Sequence, residues 1–127
     1  MSVTDALDAL RSELSGCALV AYADLNSRLV LSTSAAGHPG QEELDALSSA
    51  AQLVLAGAVA EGGAPVWGGD SPADMAMLMT GSEARVFLRA ADAAPEALIC
   101  VCAPNVDLAQ VVSMGRATLT RIQGEAS

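Results

Sequence analysis

Lysine is absent from this chain, and six arginines stand against fifteen acidic side chains for a formal net charge of −9. Such a surface repels a phosphate backbone instead of displacing its counterions, which excludes nucleic acid as a partner, and it repels an anionic membrane in the same way. The glycine-rich run at 62–69 has no lysine and no helix start after it, so it is not a phosphate-binding loop. Aromatic residues number three, Tyr22, Trp67 and Phe87, and the core must therefore be built from Ala, Val, Leu and Met. Histidine occurs once, as His38 beside Pro39, and a Cys–His nucleophilic pair would need it to reach Cys17, Cys100 or Cys102, each of which falls in an apolar run. Three cysteines make no disulfide framework, fit a reducing cytoplasm and read as buried structural thiols; with one remote histidine they match no recognised zinc spacing. The acidic residues are scattered over helix starts and turns, with no pair set for acid–base work. No enzyme activity, metal or cofactor is expected.

Long apolar runs are missing too. The longest charge-poor stretch, 46–60, is about fifteen residues, short of the roughly twenty that span a bilayer. Asp5 and Asp8 interrupt the first twenty residues where an export leader would be basic and then apolar. A soluble, cytoplasmic protein without membrane insertion is the expectation.

What is present is a chain of 127 residues, 52% of them hydrophobic, enough for one domain over 1–127 with one core. Leu7, Leu10 and Leu14 recur at helical spacing, with Thr4 as N-cap and Gly16 as the stop. The apolar run 17–23, the polar turn 24–27 and the run 28–33 read as a β-hairpin, and Glu42, Glu43 and Asp45 open a long helix that extends to about Ala60. Segments 74–80 and 83–90 form a second hairpin around Gly81 and Ser82, and 97–103 is a fifth strand. Leu108, Val111, Val112, Gly115, Leu119 and Ile122 line one face of a final helix, with Gly124 just past its end. The fold class is α+β. Because 18–23 and 97–103 are apolar on both faces, they belong side by side in the middle of an antiparallel sheet covered by helices on both sides, a three-layer α/β/α arrangement.

Three features bear on function. In the long helix Leu44, Leu47, Ala51, Val54 and Ala58 form one stripe, and Ala46, Ala50, Leu53, Gly57 and Ala60 a second stripe of mostly small residues. One stripe covers a sheet; the other suits the close approach of a second helix, as in a homodimer, or is covered within the monomer by a segment such as that around Trp67. Met75, Met77 and Met79 share one strand face and read first as core filler, second as an adaptable partner surface. Glu83, Arg85, Phe87 and Arg89 share a face of the next strand, either a solvated surface or a partner anchor built on Arg85, Phe87 and Arg89.

In Gly16 to Asp24, the turn into Arg28 to Thr33, the helix from Glu42 to Ala60, and Ala97 to Leu108 leading into the last helix, the chain resembles the roadblock/dynein light chain family. The resemblance runs from about Thr4 to Gln123 and is one of element order and apolar pattern; Asn26 and Ser27 stand where the family's turn commonly has glycine. It implies a roadblock/profilin-like fold, with the long helix on one face of a five-stranded antiparallel sheet and the two terminal helices on the other. It also implies a homodimer with paired long helices and sheets joined at the third strand, which places Ala46, Ala50, Leu53, Gly57, Ala60, Met75 and Met77 in the interface. Family members regulate or scaffold small Ras-like GTPases, bacterial ones being encoded with such a partner, and no catalytic side chain carries over. A small-molecule sensing domain with a Met-lined pocket is the alternative.

Overall fold

Strands apolar at every position can be buried only where a sheet is covered on both faces. In the computed structural model of the chain, which describes residues 3–27, 29–35, 37, 40–55, 75–89 and 96–126, this is where they lie. The elements are α1 (Val3–Glu13), β1 (Cys17–Asp24), β2 (Leu29–Ala35), α2 (Gln41–Leu55), β3 (Met75–Met79), β4 (Ala84–Arg89), β5 (Glu96–Cys102) and α3 (Leu108–Ala126). The five strands form one antiparallel sheet in the order β2-β1-β5-β4-β3, with β1 and β5 as central neighbours.

Alternation along the strands divides the core in two. Val20, Tyr22, Val86, Leu88, Leu98 and Cys100 face Leu7 and Leu10 of α1 and Val111, Leu119 and Ile122 of α3. Leu19, Ala21, Ala23, Phe87, Ala97 and Ile99 face Leu47 and Ala51 of α2. The expected three layers are thus present: among the described residues α2 lies on one face and both terminal helices on the other.

Local chemistry fixes the joints. Gly16 stands at φ 86°, the left-handed conformation that ends the α1 segment at little cost to a residue without Cβ. The Asp24 carboxylate accepts from the backbone N–H of Asn26 (2.8 Å) and Ser27 (3.2 Å), an Asx turn that makes a glycine unnecessary there. Asp107 accepts from Gln110 N–H at 3.2 Å and caps α3. The Thr80 hydroxyl accepts from Ser82 N–H (3.2 Å) and Glu83 N–H (3.0 Å) and closes the second hairpin at Gly81 and Ser82.

Two expected helix boundaries are corrected. Helix α1 begins at Val3, so Thr4 is within it and is not its cap, and α3 continues through Gly124 to Ala126. A glycine stops a helix only when it turns left-handed; inside one it costs about 1 kcal/mol, which a packed helix tolerates.

Gly115 is where α3 touches the sheet. A Cβ there would lie 2.5 Å from Leu88 Cδ1 and 3.4 Å from Leu98 Cδ2, both side chains being fully buried. Gly115→Val is therefore expected to lower stability by about 1–3 kcal/mol through overpacking, measured by urea unfolding. Gly81→Ala, with nothing within 4 Å of the added carbon, should stay within about 0.5 kcal/mol of the parent.

Candidate protein-binding surface

The sheet has two outer strands, and they end differently. At β2 the ladder with β1 shifts between Tyr22 and Ala23: Tyr22 pairs with Ser32 and Ala23 with Val30, so Leu31 is an extra residue that bulges the strand. On that side Arg11 Nε donates to Ser34 Oγ at 2.8 Å and Ser34 Oγ donates to the Asp8 carboxylate, so α1 is tied onto β2. At β3 no such device is present among the described residues. Its five residues pair with β4 without a shift, from Met75 opposite Leu88 to Met79 opposite Ala84.

Strand β3 is apolar throughout and open to solvent. Met75, Met77, Leu78 and Met79 are among the exposed large hydrophobics, together with Leu29 and Leu31 on the bulged edge. The expectation that the methionine stripe fills the core is thereby corrected: their partners Leu88, Val86 and Ala84 are buried beneath α1 and α3, but the outermost strand lies beyond that cover. The other wall of the alternative, Met-lined pocket, the segment around Trp67, lies outside the described residues.

Helix α2 packs against β3, among other strands, so the helix and the open edge are adjacent. Its first stripe is as expected, with Leu47 and Ala51 fully buried and Leu44 half-buried on the sheet. In the second stripe Ala46 is exposed, while Ala50 is half-buried and packs against the α2-side core. Leu53 lies in the last turns of α2; Gly57, Ala58 and Ala60 are outside the described residues, as are His38 and the segment around Trp67. The side chains of β3 that share α2's face are those opposite Phe87 and Arg85, Ala76 and Leu78, whereas Met75 and Met77 lie on the α1/α3 face. Leu78 was missed in sequence because it reads as the interior of an alternating methionine strand; the signal was the unbroken apolar run Met-Ala-Met-Leu-Met itself.

The expected anchor of Arg85, Phe87 and Arg89 is corrected at its centre. Phe87 is fully buried under α2 among Leu47, Ala51 and Ile99, because α2 crosses this face of β4. Arg85 is half-buried and its guanidinium is paired with Glu83. Arg89 is half-buried too, and only the two arginines remain at the surface.

Cys17, Cys100 and Cys102 are free and buried, and burial pushes the Cys100 thiol well above its ordinary range. Among the described residues no group of three or more His, Cys, Asp or Glu could hold a metal ion, and no helix is long and apolar enough to cross a membrane.

Neither a protein-family model nor a curated protein matches the sequence. Solved structures match over nearly the full length. The chain is similar to the Roadblock/LC7 domain from Streptomyces avermitilis (10% identity, TM-score 0.81, covering 99% of this chain and 98% of that one). It is similar to an MglB with tetrameric arrangement (18% identity, TM-score 0.77, 98% and 90% covered) and to the gliding protein MglB from Thermus thermophilus (18% identity, TM-score 0.76, 97% and 89% covered). At these identities the likeness concerns the fold: the chain has the roadblock fold, as the sequence pattern led one to expect.

Phe87→Ala tests the corrected role of that side chain. It is expected to cost about 3–5 kcal/mol in urea unfolding, the range for emptying a large aromatic site in a core. A surface anchor would instead leave the unfolding midpoint in place.

Proposed function

We propose that this chain is a non-catalytic, homodimeric protein-binding module that regulates or scaffolds a small Ras-like GTPase in the cytoplasm. The observation that carries the reading is β3: a regular edge strand, apolar at all five positions and exposed at four, adjacent to a helix with Ala46 exposed. Such an edge is a template for pairing with another strand, and in a monomer it is an aggregation hazard that proteins blunt with charge, proline or a bulge. Pairing with the β3 of a second copy would satisfy its backbone groups, cover the methionines and bring the two α2 helices together along Ala46, Ala50 and Leu53, with Gly57 and Ala60 of the expected interface outside the described residues. The fold supports the reading in two ways. One MglB of the same fold has a tetrameric arrangement, so self-association is compatible with it. The roadblock resemblance supplies the class of partner, since family members act on or tether small Ras-like GTPases.

Two charge substitutions test the dimer where the monomer core is least engaged. Ala46→Glu and Met77→Glu both fall on exposed positions, whereas Ala50→Glu would also reach the α2-side core. In light scattering the parent chain is expected to have twice the monomer mass at micromolar concentration. Each variant should weaken association at least about tenfold, which corresponds to 1.4 kcal/mol, with circular dichroism unchanged. A parent chain that is monomeric at that concentration would remove the basis of the proposal. The partner class is tested by fluorescence anisotropy with small Ras-like GTPases loaded with GDP or a GTP analogue, and binding to one nucleotide state over the other is the expected result.

A further inference from the structure

Cys17 opens β1 and Cys102 closes β5, and the two are partners in the antiparallel ladder, set off from the next pair, Leu19 opposite Val101, by a register shift at Ala18. The hydrogen bonding tells which kind of opposition this is. Ala103 N–H donates to the Gly16 carbonyl at 2.8 Å, one step further along the same register. Gly16 and Ala103 are therefore the hydrogen-bonded pair, and Cys17 and Cys102 the non-hydrogen-bonded one, the kind in which regular strands bring Cα atoms to about 4.5 Å and side chains closest. That separation lies within the span of about 4.4–6.8 Å that a disulfide bridges. The two chains do run close here, since a Cβ built on Gly16 would lie 3.5 Å from Ala103 Cβ. Both thiols project to the α1/α3 face, as both belong to that core cluster. Cys100 lies on the same face but opposes Val20 and has no thiol across from it.

The pair is also chemically unequal. Cys17 is 9% exposed, against 2% for Cys102 and none for Cys100, so a small oxidant reaches it first. The Cys102 thiol hydrogen-bonds to it and the Arg11 guanidinium lies on the same side, both favouring its thiolate against burial, while in the resting protein its own thiol donates to the Leu19 carbonyl at 3.6 Å. Exposure thus makes Cys17 the sulfur that meets an oxidant, and Cys102, its partner across the ladder, the thiol placed to resolve it.

We propose that Cys17 and Cys102 form an oxidation site at which a hydroperoxide such as hydrogen peroxide makes an intrachain disulfide. The Cys17 thiolate attacks one peroxide oxygen, the O–O bond breaks, and the departing oxygen leaves as water after protonation, giving the sulfenic acid of Cys17. The Cys102 sulfur then attacks the Cys17 sulfur, the S–O bond breaks, and the hydroxyl leaves with the Cys102 proton as a second water. Two thiols are oxidised and one peroxide is reduced to two waters. The bridge ties the junction between α1 and β1 to the junction between β5 and α3, so both terminal helices are anchored to one covalent point. Its ring, 17–102, takes in all five strands and restricts the unfolded chain strongly.

The full chain is treated with hydrogen peroxide, denatured, alkylated and cleaved at arginine. A peptide of residues 12–28 linked to one of 90–116 is expected, lighter by two hydrogens than the pair, with one thiol left to alkylate. Fragmentation of the linked peptide should place the bond on Cys102. The link should persist in Cys100→Ser and be lost in Cys102→Ser, and the oxidised parent should unfold at higher urea than the reduced one, reversed by dithiothreitol. Three alkylatable thiols after a peroxide dose that fully oxidises free cysteine, a bond on Cys100, or a link between two chains each overturns the proposal. If Cys102→Ser does not fold, the fragment assignment on the parent protein decides alone.

Discussion

The pairing of β1 with β5 is the constraint from which the rest of the structure follows. Both strands are apolar on both faces, so neither can lie at a solvated surface, and together they force a helical layer onto each side of the sheet. Their register also decides which side chains go to which layer. Val20, Tyr22, Leu98 and Cys100 are delivered to α1 and α3, and Ala21, Ala23, Ala97 and Ile99 to α2. A slip of one residue would exchange the two sets, and the α2 layer, floored largely by alanines, could not take the bulky set without moving α2 outward. Phe87 supplies the volume the alanines lack, which is why it is inside.

Once the centre is fixed, the two edges differ in how completely they are closed. The edge at β2 carries a bulge at Leu31, and α1 is clamped to it through Arg11, Ser34 and Asp8, so its ladder is locally irregular and sterically crowded. Among the described residues the edge at β3 carries none of these features. Five residues stand in unbroken register with β4, and every side chain on the strand is apolar. A chain that blunts one edge and leaves the other regular and hydrophobic is asymmetric in what it can pair with.

Much of this was legible in sequence because the signals were redundant. Strands β1 and β5 announce themselves by length and continuous apolarity, α3 by a stripe that includes Gly115, and the hairpin at Gly81 and Ser82 by its turn residues. What was misread depends on tertiary position. Met75, Met77 and Met79 alternate as core residues do, and only the strand order shows that they stand at the rim. Phe87 sits between two arginines on one face of its strand, and nothing local says that α2 crosses there. The pairing of Cys17 with Cys102 rests on a register between segments more than eighty residues apart, which no local pattern encodes.

Charge sharpens the asymmetry of the edges. Two copies of a chain with a formal charge of −9 repel one another over most of their surfaces, at a range set by the ionic strength. The stretch from Met75 to Ser82 has no ionisable side chain, so it is one place where a second copy approaches without placing like charges in contact. The attraction available there is burial of apolar area and completion of a strand ladder, both short-ranged and insensitive to salt, whereas the opposing repulsion is screened by it. Added salt should therefore favour contact through this edge, and it should weaken any contact in which the acidic remainder of the surface meets a basic partner.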